Sequence, residues 1–136
     1  MGECRRVPRI IMIDDDVEFI ELVDDALKAR GCVISYADDG EQGIRLAQHL
    51  QPDVVLLDIR MPGVDGYEVA TTIRSDPQLK HTRLVAVTGL AKEETEEQLR
   101  AGGFDGYVAK TVDLNVFVSE IERFLDQPFA RPEAGG

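Results

Sequence analysis

Four groups of residues in this 136-residue chain could do chemistry together: the carboxylates of Asp14, Asp15 and Asp16, the single carboxylate of Asp58, the hydroxyl of Thr88 and the ammonium of Lys110. Each follows an apolar run: Ile10-Ile11-Met12-Ile13, Val54-Val55-Leu56-Leu57, Leu84-Val85-Ala86-Val87 and Tyr107-Val108-Ala109. Short runs of this kind suit strands buried on both faces, and a charge at the edge of a core is costly unless it is paired. Taken singly, each residue has an ordinary explanation. Asp-rich loops cap helices, a strand-end Thr is structural, and a lone Lys is solvated. Brought to one rim, the four groups describe a site. Crowded carboxylates repel one another unless a cation sits among them, and hard oxygen donors with no His or Cys nearby favour Mg²⁺. Such a pocket, with a Lys and a hydroxyl donor, can stabilise a transferring phosphoryl group. Asp is an accepted nucleophile for making an aspartyl phosphate. The residues alone therefore suggest phosphoryl chemistry on Asp58, with Mg²⁺.

The elements needed to position these groups are legible in the pattern. Arg9–Ile13 reads as a first strand. Phe19, Ile20, Leu22, Val23, Ala26 and Leu27 form a helical stripe closed by Gly31. Cys32–Ala37 is a second strand. The Asp39/Gln42 pair has capping-box spacing and opens a helix to about Gln51. Pro52 breaks that helix, and Asp53–Leu57 leads to Asp58. Pro62, Gly63 and Gly66 mark a loop. Asp65 and Glu68, again spaced as a capping box, open a helix that Asp76-Pro77 ends. Leu84–Val87 is a fourth strand. Lys92–Ala101 is an acidic helix with a thin apolar stripe, the least secure of the set. Gly106–Ala109 is a short fifth strand, and Asp113 can cap a last helix whose apolar face is Leu114, Phe117, Val118, Ile121 and Phe124. Five strand-helix units with near-continuous apolar strands predict an α/β fold, a five-stranded parallel sheet covered by helices on both faces, in the flavodoxin-like doubly wound order 2-1-3-4-5. That order puts the first and third strands side by side at the switch point, where ligands of such sheets bind. Asp14 and Asp58 then converge, with Thr88 and Lys110 on the same rim.

Composition limits the alternatives. The length allows one domain with a real core. No apolar run approaches a membrane span, and the first residues lack the apolar core of a signal peptide. The net charge of −11 argues against direct binding to nucleic acid or to an anionic membrane. Cys4 and Cys32 are too few for a disulfide scaffold and have no metal-ligand spacing, so a reducing cytoplasm is the expected compartment. Residues 1–8 read as an N-terminal extension, 9–125 as the domain, and 126–136, with two prolines and a Gly-Gly end, as a flexible tail or linker stub.

The motif set Ile13-Asp14-Asp15-Asp16, Leu57-Asp58-Ile59-Arg60-Met61-Pro62-Gly63-Val64-Asp65-Gly66, Val87-Thr88-Gly89 and Tyr107-Val108-Ala109-Lys110 resembles the receiver domain of two-component response regulators, from about Arg9 to Leu125. The resemblance implies that Asp58 accepts a phosphoryl group from a phosphohistidine. It implies that Asp15 binds Mg²⁺ directly, Asp14 mainly through water, and the Arg60 backbone carbonyl as a further ligand. Lys110 would pair with the phosphoryl group, Thr88 would hydrogen-bond it, and Tyr107 would swing inward as the switch aromatic. Asp16 has no such role and is expected to cap the first helix. Arg60 and Leu90 stand at positions that tune dephosphorylation in the family. Thr111 replaces the usual Pro after the Lys, where a cis non-prolyl bond would cost about 2.5–4 kcal/mol. Gly89 replaces the more common Ala after the Thr.

The function expected on this resemblance is a signalling switch. A histidine kinase or phosphotransfer protein phosphorylates it, and it controls an effector through the 92–125 face. It is not an enzyme beyond its own phosphorylation and dephosphorylation. The acidic block of Glu93, Glu94, Glu96 and Glu97 lacks the basic complement of a self-pairing face, so a monomer is expected. Two alternatives stay open, a module excised from a larger hybrid kinase or regulator and a pseudo-receiver that only binds partners. A haloacid-dehalogenase-like phosphatase would want a second Asp where Arg60 stands. A flavin or nucleotide carrier would want a hydroxyl- or glycine-rich first loop in place of Asp14-Asp15-Asp16.

Overall fold

A computed structural model describes residues 7–61, 63, 65–89, 95–110 and 113–126 of the chain. Strands β1 (Arg9–Ile13), β2 (Val33–Ala37), β3 (Val54–Asp58), β4 (Arg83–Thr88) and β5 (Gly106–Ala109) alternate with helices α1 (Val17–Lys28), α2 (Gly40–Leu50), α3 (Gly66–Ser75), α4 (Glu96–Ala101) and α5 (Leu114–Asp126). All strand pairs are parallel, in the order β2-β1-β3-β4-β5. This is the expected architecture and the expected order.

Alternation along the strands explains the two-sided cover. Ile10, Met12, Val54, Leu56, Val85 and Val87 point to one face, where Ile20, Val23 and Leu27 of α1 and Phe117, Val118 and Ile121 of α5 close over them. Ile11, Ile13, Val55, Leu57, Leu84 and Ala86 point to the other, under Ala47 of α2, Val69, Ala70 and Ile73 of α3, and Leu99 of α4. Each fully buried Val, Leu or Ile contributes about 1.5–3 kcal/mol. That surplus lets the sheet carry buried polar groups at its rim.

Several boundaries differ from the sequence reading, each for a local reason. Helix α1 ends at Lys28 with Ala29 as its cap. Gly31, at φ 87°, supplies the left-handed turn beyond it, and the Cys32 N–H returns to the Leu27 carbonyl at 3.1 Å. Asp39 caps α2 by accepting the Gln42 N–H at 2.8 Å, as expected. At α3 the Asp65 carboxylate accepts from the Tyr67 N–H, not from Glu68, so the cap is present without the predicted box bond. A short 3₁₀ turn, Pro77–Leu79, follows with Asp76 as its cap, an element the sequence reading passed over. Helix α4 begins at Glu96 because Thr95 is its N-cap in a true capping box with Gln98. The predicted start at Lys92 falls outside the described residues, as do Leu90, the Lys110–Thr111 bond and the predicted tail from Gln127 onward, while its first residue, Asp126, closes α5.

Gly66 is required by close approach. A Cβ there would meet the Ile59 Cα at 2.8 Å, so the first turn of α3 packs directly on the residue after Asp58. Gly89 carries no such constraint, since a Cβ would meet nothing within 4 Å. No helix among the described residues is long and apolar enough to cross a membrane.

Candidate phosphoryl-transfer and metal site

The sheet ladder itself delivers the site residues to one rim. Beyond β1, the Asp14 N–H continues the ladder to the Ala37 carbonyl at 3.1 Å. Beyond β5, the Lys110 N–H reaches the Thr88 carbonyl at 2.7 Å. Asp58 is the last residue of β3, in register with Val87 of β4. Asp14 is fully buried, Asp58 is nearly so, and Asp15 is exposed, as alternation at a strand end requires.

Carboxylate oxygens of Asp14, Asp15 and Asp58 lie within 4.8 Å of one another, one from each residue. The Lys110 Nζ sits against them, 3.1 Å from Asp14 Oδ2, 3.5 Å from Asp58 Oδ2 and 3.9 Å from Asp16 Oδ2. Its hydrogen bond goes to Asp14 Oδ1 at 3.3 Å, and Asp14 Oδ2 is buried without a hydrogen-bond partner of its own among the described residues. The Asp16 N–H donates to Asp14 Oδ1 at 2.9 Å, and the Arg60 N–H donates to Asp58 Oδ1 at 2.9 Å. These backbone bonds fix which oxygens face the cluster. The Asp16 carboxylate accepts the Phe19 N–H at 3.1 Å and caps α1, as expected. Lys110 also reaches it, a contact the sequence reading did not assign.

Burial pushes the Asp14 carboxyl from its ordinary 3.8 up to about 6. The Asp16 N–H opposes that rise, the Asp58 charge adds to it, and Lys110 again opposes it. Lys110 is itself held above its ordinary value. Burial pulls it down, but its hydrogen bond and charge attraction to Asp14, with the charges of Asp58 and Asp16, outweigh burial. Desolvation therefore wins on the fully buried acid and ion pairing wins on the partly exposed base.

Thr88 is buried, and its Oγ1 has no hydrogen-bond partner among the described residues. A hydroxyl left orphaned in a packed interior costs about 1–3 kcal/mol. Thr88→Val is therefore expected to stabilise the resting chain by about 1 kcal/mol, read as a rise in Tm in thermal unfolding. A fall in Tm would mean that the hydroxyl has a resting partner after all.

Tyr107 is half-buried and packs with the α2–α4 side of the core. It is in register with Ala86, two residues before Thr88 on the same face of β4. A hollow of about 250 Å³ beside it is lined by Leu99, Phe104 and Phe124 among others. Sequence reasoning missed Phe19. Its ring lies 4.8 Å from the Lys110 Nζ and is met edge-on by Phe117 at 5.0 Å. The helical stripe marked Phe19 only as core. A groove of about 400 Å³ between α2 and α3, lined by Asp39, Glu41, Ile44, Asp65 and Glu68, contains none of the predicted site residues.

The profile of the response regulator receiver domain matches residues 10–122. The chain belongs to that family. The receiver is 32% identical over 120 residues to the polar-differentiation response regulator DivK of Brucella anthropi, covering 88% of this chain and 98% of that one. In fold it is similar to the chemotaxis response regulator CheY4 of Vibrio cholerae, with a TM-score of 0.80 at 24% identity over 88% of this chain and 99% of that one. It is also similar to the response regulator TrrA of Thermotoga maritima, solved in complex with Mg²⁺-BeF, with a TM-score of 0.73 at 29% identity, covering 87% and 99% of the two chains.

Proposed function

We propose that this receiver is a phosphorylation-dependent signalling switch with Asp58 as its phosphoacceptor. One observation carries the reading. A buried carboxylate at the end of the central strand faces a lysine ammonium at 3.5 Å, and two further carboxylates share its cluster. In the transfer, Asp58 Oδ2 attacks the phosphorus of a phosphohistidine on a histidine kinase or phosphotransfer protein. The P–N bond breaks, a P–O bond forms, and the imidazole leaves with its electron pair. Asp58 Oδ1 stays bound to the Arg60 N–H, which keeps the attacking oxygen aimed outward. Lys110 holds its proton and pairs with the transferring oxygens, and the free Thr88 hydroxyl donates to one of them.

The residues fit Mg²⁺. Three carboxylates supply hard oxygens, Asp14 Oδ2 accepts no hydrogen bond among the described residues and has only the Lys110 charge beside it at 3.1 Å, and no described His or Cys joins the group. Asp14, Asp15, Asp58 and the Arg60 backbone carbonyl would hold the ion, which would supply charge neutralisation for the phosphoryl oxygens. The related TrrA was solved with Mg²⁺-BeF, which supports the assignment. The chain acts on nothing beyond its own phosphorylation and dephosphorylation, in the cytoplasm.

The signal leaves through the 92–125 face. When Thr88 turns toward a phosphoryl oxygen it vacates space on the face of the sheet that Tyr107 shares, and the Tyr107 ring follows it inward. Helix α4 buries Leu99 alone among its six residues, so it shifts at low cost and its equilibrium is biased, not rebuilt. Glu96 and Glu97 stand in its first turn, so the effector is a protein with a basic patch, bound by a receiver monomer. Beryllofluoride with Mg²⁺ is expected to move the amide resonances of Thr88, Tyr107 and Lys110 in the wild type and not in Asp58→Asn, with no change in hydrodynamic size. A homodimer formed through this face, or an unresponsive spectrum, would contradict the reading.

A further inference from the structure

The geometry points to Phe19 as a positioning residue that holds the Lys110 ammonium over the pocket, a role that rests on the phosphoacceptor reading. The ammonium has carboxylates of Asp14, Asp58 and Asp16 at 3.1, 3.5 and 3.9 Å, and the Phe19 ring at 4.8 Å to its centroid. The ring is not free to drift. Its backbone N–H is tied to the Asp16 cap at 3.1 Å. Its edge-to-face partner Phe117 is fully buried at 5.0 Å and 73°. Helices α1 and α5 thus clamp an aromatic face beneath a partly exposed lysine.

The carboxylates alone do not secure Lys110 in the working state. A bound divalent cation competes for the oxygens of Asp14 and Asp58, which are the two nearest of its three anionic partners. A long, flexible lysine stem that loses those partners swings toward water. The aromatic face offers the cation no ligand, so its attraction for the ammonium survives loading of the site. Phe19 then keeps the ammonium within reach of Asp58 when the phosphoryl group arrives. Leucine at this position would fill the space but carry no such attraction.

The test uses the full chain with Phe19→Leu and Phe19→Trp, each alone and combined with Lys110→Ala. The first readout is the ¹³C and ¹H shifts of the Lys110 Cε methylene, with and without Mg²⁺. Ring-face contact predicts an upfield displacement in the wild type, kept in Phe19→Trp and lost in Phe19→Leu. The second is the rate of phosphoryl uptake from acetyl phosphate. It is expected to fall about fivefold in Phe19→Leu, to stay near wild type in Phe19→Trp, and to fall no further when Phe19→Leu is added to Lys110→Ala. An equal loss in the Lys110→Ala background would show a merely structural residue and overturn the role. Normal uptake with unshifted Lys110 resonances in the wild type would overturn it alone, whereas no uptake by the wild type overturns this role together with the phosphoacceptor reading.

Discussion

Asp14→Asn is expected to make the metal-free receiver more stable by about 3 kcal/mol at pH 7.5. The Asp14 carboxyl titrates near 6 in the folded chain against an ordinary 3.8. Between those values the folded state holds the proton that the unfolded state has released, so stability falls as pH rises from about 4 to about 6 and stays low above that. Asparagine keeps the shape and the acceptor for the Asp16 N–H without the buried charge. The advantage of the variant should therefore shrink toward zero near pH 4, where the wild-type acid is itself protonated in the fold. Chemical denaturation in chelator at the two pH values reads this directly. A variant less stable than wild type at pH 7.5 would mean that the Lys110 ion pair outweighs the cost of burying the acid.

Mg²⁺ is expected to raise the Tm of the wild type, because it binds the folded arrangement of Asp14, Asp15 and Asp58 and not the unfolded chain. At a hundredfold excess over its dissociation constant the gain is about 2.7 kcal/mol. Asp15 is the exposed member of the three, so Asp15→Ala removes a ligand without opening the core. It should abolish the Mg²⁺ response while leaving the metal-free Tm equal to or above that of the wild type. The same ion should cancel the advantage of Asp14→Asn, since a neutralised Asp14 no longer carries its penalty. A Tm that does not move at millimolar Mg²⁺ would argue against the cage.

The rim was legible in the sequence because strand ends are punctuated. Asp14, Asp58, Thr88 and Lys110 each end an apolar run, and the strand order turns four separate endings into one neighbourhood. The layering was legible for the same reason, since buried parallel strands leave little ambiguity about their period. Helix ends were less so. Thr95 and Gln98 carry a capping-box signal as clear as that at Asp39, yet the four acidic residues before and after Thr95 drew the start of the helix toward Lys92. At Asp65 the spacing to Glu68 suggested a box, but the carboxylate turned to the nearer Tyr67 N–H. The contact between Phe19 and Lys110 has no sequence signal at all. It depends on how α1 and α5 close over one face of the sheet, and an aromatic residue on an apolar stripe reads the same whether it fills a core or supports a charge.

Phosphoryl uptake on Asp58 can be read from the intact mass after incubation with acetyl phosphate. With Mg²⁺ the wild type is expected to gain the mass of one phosphoryl group. The gain should be absent in chelator and absent in Asp58→Asn under every condition. Equal labelling of Asp58→Asn, or a wild type that stays unmodified with the ion present, would contradict the assignment.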